Sequence, residues 1–144
     1  MSIKLGFSCS NGDIIYNSLF KFPSLFISFI LIEDVCESHG TTFQGSKVGN
    51  FGFASNFSFY FAHHMSTIEG GMISTNNWEF YQVCRALRSH GMTREMTSDS
   101  MKISLAMDNP DLNPDFIFLR PAHNFRSTEI NAVIGICQLP KLDA

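Results

Sequence analysis

In FILIEDVCESHG (residues 29–40) an unbroken apolar run, Phe29–Ile32, stops at two acids, Glu33 and Asp34. A short continuous apolar run predicts a strand buried on both faces, the kind found inside parallel sheets. Asp34 then falls just past the strand's C-terminal end, the edge where open α/β sheets place their ligands. An acid at that point serves equally as a plain strand terminator. Downstream, residues 36–52 are rich in Gly, Ser, Thr and Asn and predict loop and turn. Ala54–Tyr60 alternates through Phe57 and Phe59, predicting a second strand, and Met72–Ser74 predicts a short third. Asn76 or Asn77 can cap a helix from Trp78 to about Ser89, with Tyr81, Cys84 and Leu87 on its buried face. Gly91 is its natural stop. Strands alternating with helices predict an α/β layer architecture.

Farther out the pattern thins. Residues 93–115 hold two prolines and no sustained period, predicting a long surface excursion. A second helix is expected from near Ser127, with Ile130, Val133, Ile134 and Cys137 as its buried stripe and Pro140 at its end. Residues 1–25 show neither period and are assigned no element. Leu19–Ile32 is apolar, but Lys21 and Pro23 interrupt it. The clean part is about ten residues, where a membrane span needs roughly twenty. A signal peptide would carry its charge earlier and end on small residues. No membrane segment is expected.

The chain has 144 residues, 44% hydrophobic and 16% charged, which suits one globular domain with a real core. Ten Lys+Arg against thirteen Asp+Glu give a net charge of -3. That balance lacks the clustered cations that neutralise phosphates, so no nucleic-acid partner is expected. Cys9, Cys36, Cys84 and Cys137 are too scattered for a metal knuckle or a redox pair. Reduced thiols in a cytoplasmic protein are the plain reading, with Cys84 and Cys137 on apolar helix faces in the core.

Three clusters carry possible chemistry: Glu33-Asp34 with Glu37, the tract Ser58-Phe59-Tyr60-Phe61-Ala62-His63-His64, and Asn124-Phe125-Arg126. Adjacent histidines on an extended chain point to opposite faces, and no His-Glu-x-x-His or Cys-x-x-Cys supplies partners. No metal is expected, and ordinary loop histidines remain the alternative. Glu37 reads equally as an exposed loop acid, and Arg126 as a solvated cation.

LIEDVCESHGTTFQGSKVGNFG (residues 31–52), FSFYFAHHMSTIEGGMIST (57–75), RALRSHGM (85–92) and HNFRSTEINAVIGICQLPKLD (123–143) change those odds. In order and spacing they resemble the DegT–DnrJ–StrS family of pyridoxal-phosphate (PLP) sugar aminotransferases. The resemblance covers residues 29–144 and leaves 1–28 unmatched. It implies part of the large domain of the PLP-dependent aminotransferase type I fold, with α/β/α layers around a mostly parallel sheet. The family's upstream glycine-threonine phosphate loop and its C-terminal small domain have no counterpart here. An inactive, self-associating fragment is therefore expected.

The resemblance also implies roles. Asp34 stands where the family pairs a carboxylate with the cofactor's pyridine nitrogen, and a buried anion there keeps that nitrogen protonated. Glu37 takes the position of a polar side chain at the ring's edge. Ser58 matches a hydroxyl on the cofactor phosphate. Asn124 matches a residue reaching the cofactor of the neighbouring subunit, so a homodimer is implied, and Arg126 matches one that holds an anionic substrate.

His63 is the departure. The family's aminotransferases carry at this position the lysine that binds the cofactor covalently, and imidazole has no primary amine. In this the chain is similar to the family's 3-dehydratases, whose histidine works as a base on noncovalently held pyridoxamine phosphate. An imidazole titrates near neutrality, as that role requires. The implied substrates are nucleotide-linked 4-keto sugars, with an amino donor such as glutamate, in polysaccharide or deoxysugar biosynthesis. A transaminase and a non-catalytic binding remnant are the alternatives. Phe61, where the family more often has proline, marks a divergent subgroup. An iron–sulfur partner site cannot be placed on four scattered cysteines.

Overall fold

The computed structural model describes residues 6–10, 13–17 and 30–142. Its contacts divide the chain into two compact units, Met1–Asn76 with Val133–Ala144, and Asn77–Ala132. One domain was expected from length alone.

In the first unit, β1 (Gly6–Ser10) and β2 (Asp13–Asn17) form an antiparallel hairpin where no element was expected. The central sheet holds β3 (Ile32–Asp34), β6 (Ala54–Ser58) and β7 (Gly71–Thr75) in the order β3-β6-β7. β3 runs parallel to β6, pairing Asp34 with Asn56, whereas β6 and β7 are antiparallel, pairing Ser58 with Gly71. Between them, β4 (Thr42–Phe43) and β5 (Ser46–Lys47) make a small hairpin. Gln44 and Gly45 at its tip both have positive φ, as a tight hairpin turn demands.

The strand expected at Phe29–Ile32 lies farther along and carries the two acids itself; Phe29 is outside the described residues. It is not buried on both faces. Ile32 is 61% exposed, and the buried residues lie on its partner strand and just beyond it, at Ala54, Ser55 and Val35. β3 is an edge strand of this sheet, with no covering layer on the side of Ile32 among the described residues.

The second unit opens with α1 (Trp78–Leu87), whose N-cap is Asn77: its side chain accepts from the Phe80 N–H at 2.8 Å. The buried face is not the expected Tyr81–Cys84–Leu87 stripe but Gln82 and Ala86. Gln82 can be fully buried because both ends of its amide are hydrogen-bonded. Its Oε1 accepts from the Thr97 and Ser98 N–H groups at 2.7 and 3.0 Å, and its Nε2 donates to Thr97 Oγ1 at 2.8 Å.

Ser98 in turn caps α2 (Asp99–Met107), a helix inside the expected surface excursion. α2 buries none of its residues, so it shows no apolar period. Gln82→Leu keeps the volume but leaves two backbone donors unpaired. We expect a loss of about 3 kcal/mol of stability, read by denaturation followed through Trp78, the single tryptophan.

α3 (Glu129–Gln138) is the expected second helix, and a 3₁₀ turn at Leu139–Lys141 takes over where Pro140 forbids more α-helix. Its stripe is not buried: Ile130 and Val133 are 71% and 60% exposed, Cys137 is exposed and Ile134 half-buried. Gly135 is the buried residue of this helix, and it packs against Thr67 and Met65. Cys84 is half-buried rather than core, and burial raises its thiol pKa; Cys36, Cys84 and Cys137 are free thiols. No helix among the described residues is long and apolar enough to cross a membrane.

Candidate active site

The C-terminal end of β3 carries the first acid pair with two different fates. Glu33 turns back into the fold, and its carboxylate accepts from the Gly49, Phe51 and Gly52 N–H groups at 2.6–2.7 Å. It shapes the loop ahead of β6. There is no room for a Cβ at Gly52, where it would meet the Leu31 carbonyl. Neighbouring strand residues point to opposite faces, so Asp34 faces the other way. Its Oδ1 accepts from the Cys36 N–H at 3.2 Å and from Asn56 Nδ2 at 3.1 Å. The Cys36 thiol and N–H, and to a lesser degree the Asn56 amide and the charge of His63, hold the Asp34 carboxyl below its ordinary value, against the opposing effect of burial. Asp34 therefore stays anionic to lower pH than a free aspartate. The same contact with Asp34, followed by burial, pushes the Cys36 thiol up.

His63 sits in the loop after β6. Its N–H donates to the Tyr60 carbonyl at 3.0 Å, and its ring meets the Tyr60 ring edge-on. Nε2 lies 3.5 Å from Glu37 Oε1, with the imidazole 15% and the carboxylate 83% exposed. Nδ1 is buried with no hydrogen-bond partner. Asp34, Glu37 and His63 thus lie near one another past the end of β3. Ser58 closes β6, and its Oγ accepts from the Tyr60 N–H at 3.3 Å. His64 is exposed.

In the second unit, Asn124 and Arg126 pair with each other, the guanidinium Nε donating to Asn124 Oδ1 at 2.8 Å, and both are exposed. Asn124 bridges to Ser89, which holds the segment in place.

Sequence reasoning missed Asn56 and His39. Asn56 could have been found from the strand register, because it is the residue opposite Asp34. His39 lies flat over Phe57 and Phe59, with ring centroids 5.7 and 5.6 Å away and both ring nitrogens buried without a hydrogen-bond partner. Burial, then the charges of His64 and His63, lower its pKa and favour the neutral ring. Among the described residues no cluster of His, Cys, Asp and Glu could hold a metal ion.

A carboxylate kept charged, a hydroxyl at the end of the neighbouring strand and an imidazole beside a second carboxylate fit the donor set of a pyridoxal-type cofactor. The fold is that of PLP-dependent aminotransferases of type I. The chain belongs to the DegT/DnrJ/EryC1/StrS aminotransferase family, whose model matches residues 27–144. GDP-4-keto-6-deoxy-D-mannose 3-dehydratase of Escherichia coli O55:H7 is 39% identical over 113 residues, which are 78% of this chain and 29% of that enzyme. The E. coli 3-dehydratase structure with bound hydrated PLP superposes with a TM-score of 0.63 at 36% identity, covering 79% of this chain and 29% of that one. UDP-4-amino-4,6-dideoxy-N-acetyl-beta-L-altrosamine transaminase of Campylobacter jejuni is 33% identical over 78% of this chain and 26% of its own length. The chain thus spans somewhat under a third of the relatives it matches.

Proposed function

We propose that residues 29–144 are part of the cofactor-binding large domain of an enzyme that removes the C3 hydroxyl from a nucleotide-linked 4-keto-6-deoxy sugar. The observation that carries this reading is the imidazole of His63 beside Asp34 and Glu37; by the resemblance, it stands where the family's aminotransferases have lysine. The similarity to 3-dehydratases supports it. When bound, pyridoxamine phosphate supplies an electron sink. Asp34 would offer its carboxylate to the pyridine nitrogen, Glu37 would stand at the ring's edge, and the Ser58 hydroxyl would donate to a phosphate oxygen. His63 would accept at Nε2 the proton lost from the amine-bearing carbon of the cofactor, the electron pair released would expel the C3 hydroxyl, which leaves as water with a proton from solvent, and the Glu37 carboxylate 3.5 Å away would compensate the imidazolium that results. Arg126 holds an anionic part of the substrate. Asn124 would reach the cofactor of a second subunit in a homodimer, and glutamate would restore the amino form of the cofactor, leaving as its 2-oxo acid. Transamination as the main reaction is favoured by the similarity to sugar transaminases and opposed by His63.

The test is incubation of the full-length enzyme that contains these residues with pyridoxamine phosphate and a panel of nucleotide 4-keto-6-deoxy sugars, read by mass spectrometry. A 3-deoxy product supports the reading; an amino product at C4 alone, or no product, overturns it. A second expected result concerns how the cofactor is held. Pyridoxal phosphate should dialyse away, and borohydride should leave no phosphopyridoxyl adduct on any of the five lysines. An adduct on one of them would mean that an amine does take the cofactor.

A further inference from the structure

Asp34 is the group on which the cofactor reading turns, yet an aspartate at the end of an edge strand is free to rotate unless something pins it. Two neighbours do. Asn56 stands opposite Asp34 in the parallel ladder, and its Nδ2 donates to Asp34 Oδ1 at 3.1 Å while lying 3.2 Å from Cys36 Sγ. Cys36 adds its backbone N–H to the same oxygen at 3.2 Å, and its Sγ accepts from the Asn56 amide that holds the carboxylate. Both geometrically placed bonds end on Oδ1, so Oδ2 is the oxygen left for a ligand. Asn56 and Ser58 are two apart on β6 and share a face, which fixes the carboxylate relative to the hydroxyl.

We propose that Asn56 and Cys36 are a positioning pair for Asp34, donating to one carboxylate oxygen so that the other faces the pyridine nitrogen of the cofactor. The inference rests on the reading of Asp34 given above. Its physical content is what happens when the ring covers the site. Water that solvates the exposed carboxylate is then displaced, and a carboxylate without donors takes the pyridinium proton, which weakens the electron sink. Donors supplied by the protein keep the charge on Asp34 and the proton on the ring.

The measurement is the ¹⁵N chemical shift of pyridine-labelled pyridoxamine phosphate bound to the protein at neutral pH, which reports ring protonation independently of turnover. Wild type is expected to show the protonated ring. Asp34→Asn should show the neutral ring. Asn56→Val, which keeps strand propensity but has no donor, should lower the ratio of protonated to neutral ring about tenfold, the worth of one hydrogen bond to a charged group. Cys36→Ala, which keeps the backbone N–H but removes the sulfur that accepts from the Asn56 amide, should move the shift in the same direction, and Cys36→Ser, which keeps an acceptor there, should restore it. If Asp34→Asn leaves the shift unchanged, the reading of Asp34 itself falls and the pair falls with it. If Asp34→Asn moves the shift but Asn56→Val and Cys36→Ala do not, only the positioning pair is overturned. Should Asn56→Val fail to fold, the contrast between Cys36→Ala and Cys36→Ser decides alone.

Discussion

His63→Asn is expected to lower formation of the 3-deoxy product by about 10²–10⁴-fold, and His64→Asn to leave most of it, because a positioned general base is worth about that much. The two imidazoles are adjacent in sequence but differ in setting. His63 is largely enclosed, its ring edge-on to Tyr60 and its Nε2 3.5 Å from Glu37 Oε1. His64 is exposed, and no contact that would aim its ring is found among the described residues. The comparison is made in the full-length enzyme with saturating pyridoxamine phosphate, so that a difference in cofactor affinity does not enter. Melting temperatures of both variants are measured alongside, since neither change removes a buried hydrogen bond. Equal losses at the two positions would mean that the proton is shared, or that the base is the other ring.

Local signals were more legible than the packing. Asp34 and His63 could be singled out because their meaning is local: an acid where a strand ends, and an imidazole where resemblance implies an amine. Asn77 as a cap, and Pro140 as the end of an α-helix, follow from backbone hydrogen bonding and needed no tertiary knowledge. Asn56 was invisible for the opposite reason, since it matters only through the register that sets it against Asp34. α2 left no periodic trace because nothing in it is buried, although Ser98 followed by Asp99 is an N-terminal signature that could have revealed it. Asn11-Gly12, between the two strands of the first hairpin, is likewise a dipeptide that hairpin turns favour. The burial expectations failed most clearly at Ile32, Ile130 and Val133. Apolar pattern tells which side chains gain from being covered. It does not tell whether the cover lies within the same stretch of chain.

Gly91→Ala should cost the second unit about 3–5 kcal/mol, whereas Gly45→Ala should cost about 1 kcal/mol, although both glycines have φ near +80°. At Gly45, on the tip of the β4–β5 hairpin, a Cβ would meet nothing within 4 Å, so only the left-handed backbone opposes the change. At Gly91 a Cβ would land on the carbonyl oxygen of Arg120, a backbone atom that cannot swing aside as a side chain can. That close approach lets residues 117–125 run along residues 88–93. The Gly91 carbonyl accepts from the Leu119 N–H at 2.7 Å, the Thr93 N–H donates to the Ile117 carbonyl at 3.0 Å, and the Phe125 N–H donates to the Arg88 carbonyl at 2.7 Å. Asn124 is placed by this stitching, through its bridge to Ser89, and Arg126 follows it. Hydrogen exchange at Leu119, Thr93 and Phe125 should therefore accelerate in Gly91→Ala and stay unchanged in Gly45→Ala. Equal destabilisation by the two substitutions would show that φ alone sets the cost, and that the pairing of the two segments survives a side chain between them.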